Sequence, residues 1–294
     1  MRIKAFAFAL PALLVASWQF GPMTEEKVGW IGLGNMGLPM ARNLQRKGYH
    51  VTVLGHSRRE PVEIMKREGA SEASSPSELA RNCNVIFSIV WDKEQTDEVI
   101  FGKNGLWQEL DENHTLIISS TLTPGYCVGL AERAKREKGA VVLDAPVSGG
   151  PWGAEARTLS FMVGGLEQGY QRCKPYFEAM GKNIFYTGGI GTGQAAKLVN
   201  NVMALVNAMT AFEAITLAKK AGIQTQTMLE IAKVSTGDSY LLHNWDVAMK
   251  GLKGFPRLTG VNKDLLYALD YAGSLDLKLP IVGLVAQLEP VLPE

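Results

Sequence analysis

From Lys27 to about Gly188 the chain alternates short apolar runs with amphipathic stretches. Val28–Ile31 reads as a strand, Gly37–Lys47 as a helix, Val51–Leu54 as a strand and Pro61–Glu68 as a helix. Ser77–Arg81 predicts a short helix before the strand Val85–Val90. A helix around Glu94–Phe101, a strand at Thr115–Ser119, a helix at Pro124–Lys138 and a strand at Val141–Asp144 continue the pattern. Thr158–Val163, a helix at Tyr170–Met180 and Ile184–Tyr186 extend it. Such alternation predicts βαβ units and a mainly parallel, doubly wound sheet.

The texture changes after the glycine-rich run Gly188–Gly193. Gln194–Ala221 reads as one long helix, stopped by Gly222 where a helix C-terminus favours glycine. At about 1.5 Å per residue it is roughly 40 Å long. Being apolar on most sides, it is expected to be central and buried. Gln226–Val234, Ser239–Lys250, Asn262–Tyr271 and Pro280–Leu288 also read as helices, with no strand signal among them. The expected organisation is an extension at 1–22, a sheet domain at 23–190 and an all-helical domain at 191–294, joined by the long helix.

The extension carries Arg2 and Lys4 ahead of an apolar stretch, Ala5 to Trp18, broken by Pro11. It is short for a bilayer span. It has the layout of an export signal or another targeting segment, or it lies upstream of a start at Met23. No other stretch is long and apolar enough to span a bilayer without polar breaks. A cytoplasmic protein is the plain expectation.

Length and composition narrow the class. The 294 residues, 46% hydrophobic, suffice for one large or two smaller domains with a sizeable core. Thirty basic residues balance 29 acidic ones, so no electrostatic case exists for a nucleic-acid partner. Cys83, Cys127 and Cys173 are scattered and odd in number, which indicates neither a disulfide framework nor a metal site.

Gly32-Leu33-Gly34-Asn35-Met36-Gly37 follows a predicted strand and opens a predicted helix. The first glycine permits a tight turn, the second a close approach of backbone to a pyrophosphate, the third close helix–strand packing. The helix N-terminus attracts the anion. Both flanks are right, which makes this a dinucleotide fingerprint rather than a chance turn. A site for NAD usually offers an acid about 20 residues on. Here Leu54 is followed by Gly55, His56, Ser57, Arg58 and Arg59, and the first acid is Glu60. Hydroxyl and guanidinium groups suit a 2′-phosphate, so NADP(H) is expected over NAD(H). A solvated arginine loop is the plainer alternative.

Two further runs carry chemistry. Gly191-Thr-Gly-Gln-Ala-Ala-Lys197-Leu-Val-Asn-Asn201 puts an amine and an amide four residues apart, on one face of a helix. A lysine in an apolar helix is costly to bury without a task, and buried lysines shift pKa in ways that suit proton transfer. Asp144-Ala-Pro-Val-Ser148-Gly149-Gly150 follows a strand and can present a hydroxyl and unhindered N–H groups to a carboxylate.

With these runs and Lys263-Asp264-Leu265 in order, the chain resembles the β-hydroxyacid dehydrogenase family, over about Lys27 to Leu288. This family includes 3-hydroxyisobutyrate dehydrogenases and tartronate semialdehyde or glyoxylate reductases. The resemblance implies a Rossmann domain that binds the cofactor, and a helical domain that closes the site and makes subunit contacts in a homodimer or homotetramer. It makes Lys197 the catalytic acid/base and Asn201 a substrate-holding residue. Ser148, Gly149 and Gly150 would bind the substrate carboxylate, Thr121 would line the nicotinamide side, and Lys263 would reach in from the helical domain. Two departures stand out: the chain stops at Glu294, short of a further helix, and Phe255–Gly260 approaches Lys263 with a proline and a glycine where helix is expected. The implied reaction is hydride transfer between nicotinamide and a small carbonyl acid. An imine reductase, or a dinucleotide-binding interaction module without turnover, are the alternatives. Ser148-Gly-Gly speaks against the first, and the register of Lys197 with Asn201 against the second.

Overall fold

The computed structural model describes residues 27–253 and 259–288. The extension at 1–22, the segment 254–258 and the last six residues lie outside the described residues.

The first half is a sheet wrapped by helices, in the order β1 (Val28–Ile31), α1 (Gly37–Arg46), β2 (Val51–Leu54), α2 (Glu60–Arg67), β3 (Ser71–Ala73), α3 (Pro76–Asn82), β4 (Val85–Ser88), α4 (Lys93–Phe101), β5 (Thr115–Ile118), α5 (Pro124–Lys138) and β6 (Val141–Asp144). Then come β7 (Val147–Ser148), α6 (Gly150–Ala156), β8 (Leu159–Gly164), α7 (Glu167–Met180) and β9 (Gly181–Gly188). The strands lie in the order β3-β2-β1-β4-β5-β6-β8-β7, with β9 beside β8. β1 through β6 pair in parallel, and β8 runs antiparallel to β6. The order reverses between β1 and β4, which opens a crevice at the carboxyl ends of those strands.

The strands form because their apolar runs have helices to cover both faces. Val28 and Trp30 of β1, Val85 and Phe87 of β4 and Ile117 of β5 enter one apolar layer. Their neighbours Ile31, Ile86, Leu116 and Ile118 enter the other. This is the period of two expected of a strand buried on both faces. Trp30 stacks on Phe87 at 5.1 Å between ring centroids. Its indole N–H donates to the Gly32 carbonyl at 3.1 Å, which ties this core to the turn that follows β1.

The second half is helical: α8 (Thr192–Lys220), α9 (Thr225–Lys233), α10 (Tyr240–His243), α11 (Trp245–Lys253), α12 (Thr259–Ser274) and α13 (Pro280–Val285). It has its own core, in which Phe212 meets Trp245 edge-on at 5.8 Å. α8 has the length and apolarity of a bilayer span. Its buried side, however, is taken by β8, α5, α9, α12 and α13 of the same chain.

Four expectations need correcting. β3 escaped notice because Ser-Glu-Ala offers one apolar residue and no alternation. α6 was hidden by two glycines and a proline within seven residues. The single helix expected over Ser239–Lys250 is two, parted at Asn244. α8 is less enclosed than a central buried helix, with Val199, Met203 and Leu217 exposed. Near the second departure, α12 begins at Thr259, so Gly260 is helical after all.

Candidate functional site

The glycine turn is built as its chemistry demands. Gly32 has φ of +98°, and a Cβ there would overlap the Ile89 carbonyl. A Cβ at Gly37 would overlap the Gly32 carbonyl, so helix and strand touch at that point. Gly34 is different: a Cβ there meets nothing within 4 Å. The protein's own packing therefore does not demand a glycine at this position. Helix α1 has no side-chain N-cap and no acid in its first turn; there the Leu38 N–H donates to the Gly34 carbonyl at 3.0 Å and Pro39 carries no N–H.

The turn forms one wall of a cleft of about 860 Å³, a size that suits a large cofactor. Gly32, Leu33, Gly34, Asn35, Met36 and Gly37 all line it. The loop after β2 forms a second wall with His56, Ser57 and Arg58, all exposed. Ser57 Oγ lies 3.2 Å from His56 Nδ1. Arg59 does not join them. It precedes α2 and is bound by Glu63 and by Glu72, each at 3.0 Å through Nη2. Of the two arginines expected to face a 2′-phosphate, Arg58 is in the cleft and Arg59 is held by carboxylates beside it. The third wall is the loop after β4, where Ile89, Val90 and the exposed Trp91 stand.

A second group gathers where α8 meets α12. Lys197 is partly exposed as a residue, yet its amine is packed round by protein, and that burial lowers its pKa to about 8. Lys263 pushes it in the same direction, while Asp264 pulls it back. Asn201, one turn on and buried, donates to Asp264 Oδ2 at 2.7 Å. Lys263 Nζ lies 2.9 Å from Asp264 Oδ1 and donates to the Thr121 carbonyl at 3.1 Å. Lys263 also lies over the Tyr267 ring, 4.8 Å from its centroid. Asn200 Nδ2 reaches Ser148 Oγ at 3.4 Å and Asn201 Oδ1 at 3.3 Å. Gly149 and Gly150 follow Ser148 with φ of +130° and +69°, a conformation that favours glycine, at the start of α6.

A web of contacts through Asn200 and Asp264 therefore joins Asn201, Ser148, Thr121 and Lys263, and the Lys197 amine feels the charges of Lys263 and Asp264. Lys197 itself is not a wall of the cleft. The connection runs through the loop after β5: Val90, a cleft residue, donates its N–H to Ser120 Oγ at 2.8 Å, next to Thr121. The sequence gives Asp264 and Asn200 no role of their own. An acid beside Lys263 and a doubled asparagine after Lys197 were their only signals.

Comparison with known proteins accounts for both halves. Residues 27–188 match the NAD-binding domain of 6-phosphogluconate dehydrogenase, which is more than half of the chain. Residues 191–291 match the NAD-binding domain of NADP-dependent 3-hydroxyisobutyrate dehydrogenase. A probable mitochondrial 3-hydroxyisobutyrate dehydrogenase of Dictyostelium discoideum is 35% identical over 261 residues, covering 86% of this chain and 81% of the relative. The chain belongs to the β-hydroxyacid dehydrogenase family. It is accordingly an oxidoreductase of the NAD(P)-dependent dehydrogenase class, and its cofactor is a nicotinamide dinucleotide.

Other members of this family are similarly close. The 2-hydroxy-3-oxopropionate reductase of Escherichia coli K12 is 36% identical over 258 residues, covering 86% of this chain and 87% of the relative. The solved structure of Mycobacterium tuberculosis 3-hydroxyisobutyrate dehydrogenase with L-serine superposes with a TM-score of 0.76 at 29% identity. That likeness covers 89% of this chain and 91% of the other.

Proposed function

We propose that this dehydrogenase interconverts a small β-hydroxyacid and its semialdehyde, or reduces a glyoxylate-type carbonyl acid, with NADP(H) preferred and Lys197 as general acid/base. The observation that carries this is an amine near pKa 8, enclosed with Asn201, Asp264 and Lys263 where two domains meet. The relatives support the substrate class: one is named for 3-hydroxyisobutyrate, one for 2-hydroxy-3-oxopropionate, and a third holds L-serine, which is itself a β-hydroxyacid.

The nicotinamide, when bound, supplies or accepts the hydride. The chain's own residues do the rest. Ser148 Oγ and the N–H groups of Gly149 and Gly150 receive the substrate carboxylate. Asn201, steadied by Asp264, holds the reacting oxygen. During reduction that oxygen gathers negative charge, and the Lys197 ammonium meets it with field and proton. During oxidation the neutral Lys197 amine removes the hydroxyl proton. Ser57 and Arg58, open to the cleft, receive the 2′-phosphate. The exposed Val199, Met203 and Leu217 of α8 support a homodimer or homotetramer.

The test is NADPH oxidation with glyoxylate, succinic semialdehyde and a cyclic imine in parallel, for the native chain and Lys197→Ala. The carbonyl acids are expected to turn over, and Lys197→Ala to lose that turnover while still binding NADPH. Turnover of the imine alone would overturn the reading, because a cyclic imine needs no Ser148-Gly-Gly site.

A further inference from the structure

The mechanism above leaves one fully buried acid unused. Asp144 ends β6 with no exposed surface, and neither of its oxygens points at the substrate web. Oδ1 accepts the Gly191 N–H at 2.7 Å, and Oδ2 accepts the Gln194 N–H at 2.6 Å. A Cβ at Gly164 would come within 2.8 Å of the Gly193 nitrogen, and one at Gly193 within 2.9 Å of Asp144 Oδ2. Glycine at both positions is what admits the carboxylate. Burying a carboxylate is costly unless its lone pairs are used. Here they satisfy the first turn of α8, which has no side-chain cap of its own.

The same turn grips a second element. Gln194 is fully buried. Its Oε1 accepts the Leu122 N–H at 3.0 Å, and its Nε2 donates to the Ser120 carbonyl at 2.7 Å. These bonds bracket Thr121, whose carbonyl Lys263 takes from the other side. The chain enters α8 through Gly188 and Gly191, both with positive φ, so the bonds to Asp144 fix the helix start after a turn that only glycine takes readily. Lys197 stands three residues after Gln194, so its side chain projects from the next turn on the same face.

We propose that Asp144 and Gln194 are positioning residues: the carboxylate of Asp144 fixes where α8 starts, and the amide of Gln194 fixes the loop Ser120–Leu122 against it, so that Lys197 is aimed at the reacting oxygen. The proposal rests on Lys197 as the acid/base. It adds that a pair of buried side chains outside the substrate web sets the amine's aim.

The test uses Asp144→Asn, which turns one acceptor into a donor facing N–H groups, and Gln194→Met, which keeps the shape and the backbone bond to Asp144. Misplacing an acid/base by about 1 Å can cost roughly a hundredfold, so kcat is expected to fall by about that factor in Asp144→Asn. NADPH affinity is expected to change far less than kcat, because the glycine turn and the loop after β2 are not touched. The Lys197 pKa, set by burial and by Lys263 and Asp264 from α12, is expected to rise from about 8 toward its ordinary 10.5 as water enters. It is read twice: from the pH profile of kcat, and from NMR of labelled lysine side chains, with the Lys197 signal assigned by its absence in Lys197→Ala. The NMR reading needs no substrate, so it decides the proposal even if no carbonyl acid is turned over. If Asp144→Asn does not fold, Gln194→Met decides. A folded variant of either kind with a lowered melting temperature but unmoved kcat and unmoved Lys197 pKa would assign these residues to stability alone and overturn the proposal.

Discussion

Replacing Lys197 with methionine should make the protein more stable at neutral pH while removing its activity. The amine titrates near 8 in the folded protein and at 10.5 when free of it. Holding it charged in the folded state at pH 7 therefore costs about 3 kcal/mol, and about 2 kcal/mol at pH 9. The sign follows from proton counting. Between pH 8 and 10.5 the unfolded chain binds more protons than the folded one at this residue, so native stability rises with pH across that window. Methionine keeps the apolar stem and drops the charge. At pH 7 a gain of this size corresponds to a rise of roughly 6–12 °C in Tm for a chain of this length. The gain should shrink through pH 9 and disappear near 10.5. Differential scanning fluorimetry of both proteins across pH 7–10.5, with NADPH titrations as a check on cofactor binding, reads it directly. A native protein at least as stable as Lys197→Met at pH 7, or a difference that does not change with pH, would mean that the amine is not buried as described.

Two more outcomes follow from the same site. With a carbonyl acid and NADPH, kcat should decline as pH rises through about 8, since reduction consumes the ammonium; with the hydroxyacid and NADP+, it should decline as pH falls through about 8, since oxidation needs the free amine. Arg58→Ala should weaken NADPH about tenfold and NADH little, as expected for one lost charge-assisted bond; Arg59→Ala should leave the NADPH dissociation constant unchanged, because its guanidinium is engaged by Glu63 and Glu72, and equal losses in both variants by isothermal titration would contradict this.

How far the sequence carries depends on how far apart the partners lie. The glycine turn is legible because its constraints are local. A positive φ at Gly32 and backbone contacts at Gly32 and Gly37 leave no room for a Cβ, and the flanking strand and helix announce where the turn sits. The strands of the central sheet are legible for the same reason, as continuous apolar runs. The four-residue spacing of Lys197 and Asn201 survives because a helix turns it into a shared face. Arg58 and Arg59 show the limit. They are adjacent and chemically identical, and only the fold, by bringing Glu72 beside Arg59, decides which remains open to the cleft. Asp264 meets Asn201 across 63 residues, and Asn200 meets Ser148 across 52. Local pattern has no access to such pairings, and β3 and α6 were missed because their composition contradicts their conformation.

The neighbouring pair Lys263 and Asp264 explains why the buried amine is useful rather than merely neutral. Full burial alone can carry a lysine to pKa values around 5 or 6, where it would hold no proton at neutral pH and could not act as an acid. Lys263 adds to that fall and Asp264 opposes it. The result is an amine that is mostly protonated at pH 7 and yet gives up its proton readily, as general acid–base catalysis requires in both directions. The two charges that set this balance are adjacent on α12, while the amine is on α8. The same Lys263 is bound to the Thr121 carbonyl of the sheet domain. With α12 packed on that loop, both charges stand beside Lys197 in the assembled site. The proton chemistry thus depends on the packing of α12: without it, water would reach Lys197, the influence of Lys263 and Asp264 would be lost together, and the amine would return toward its ordinary 10.5, too weak an acid for ready proton transfer at neutral pH.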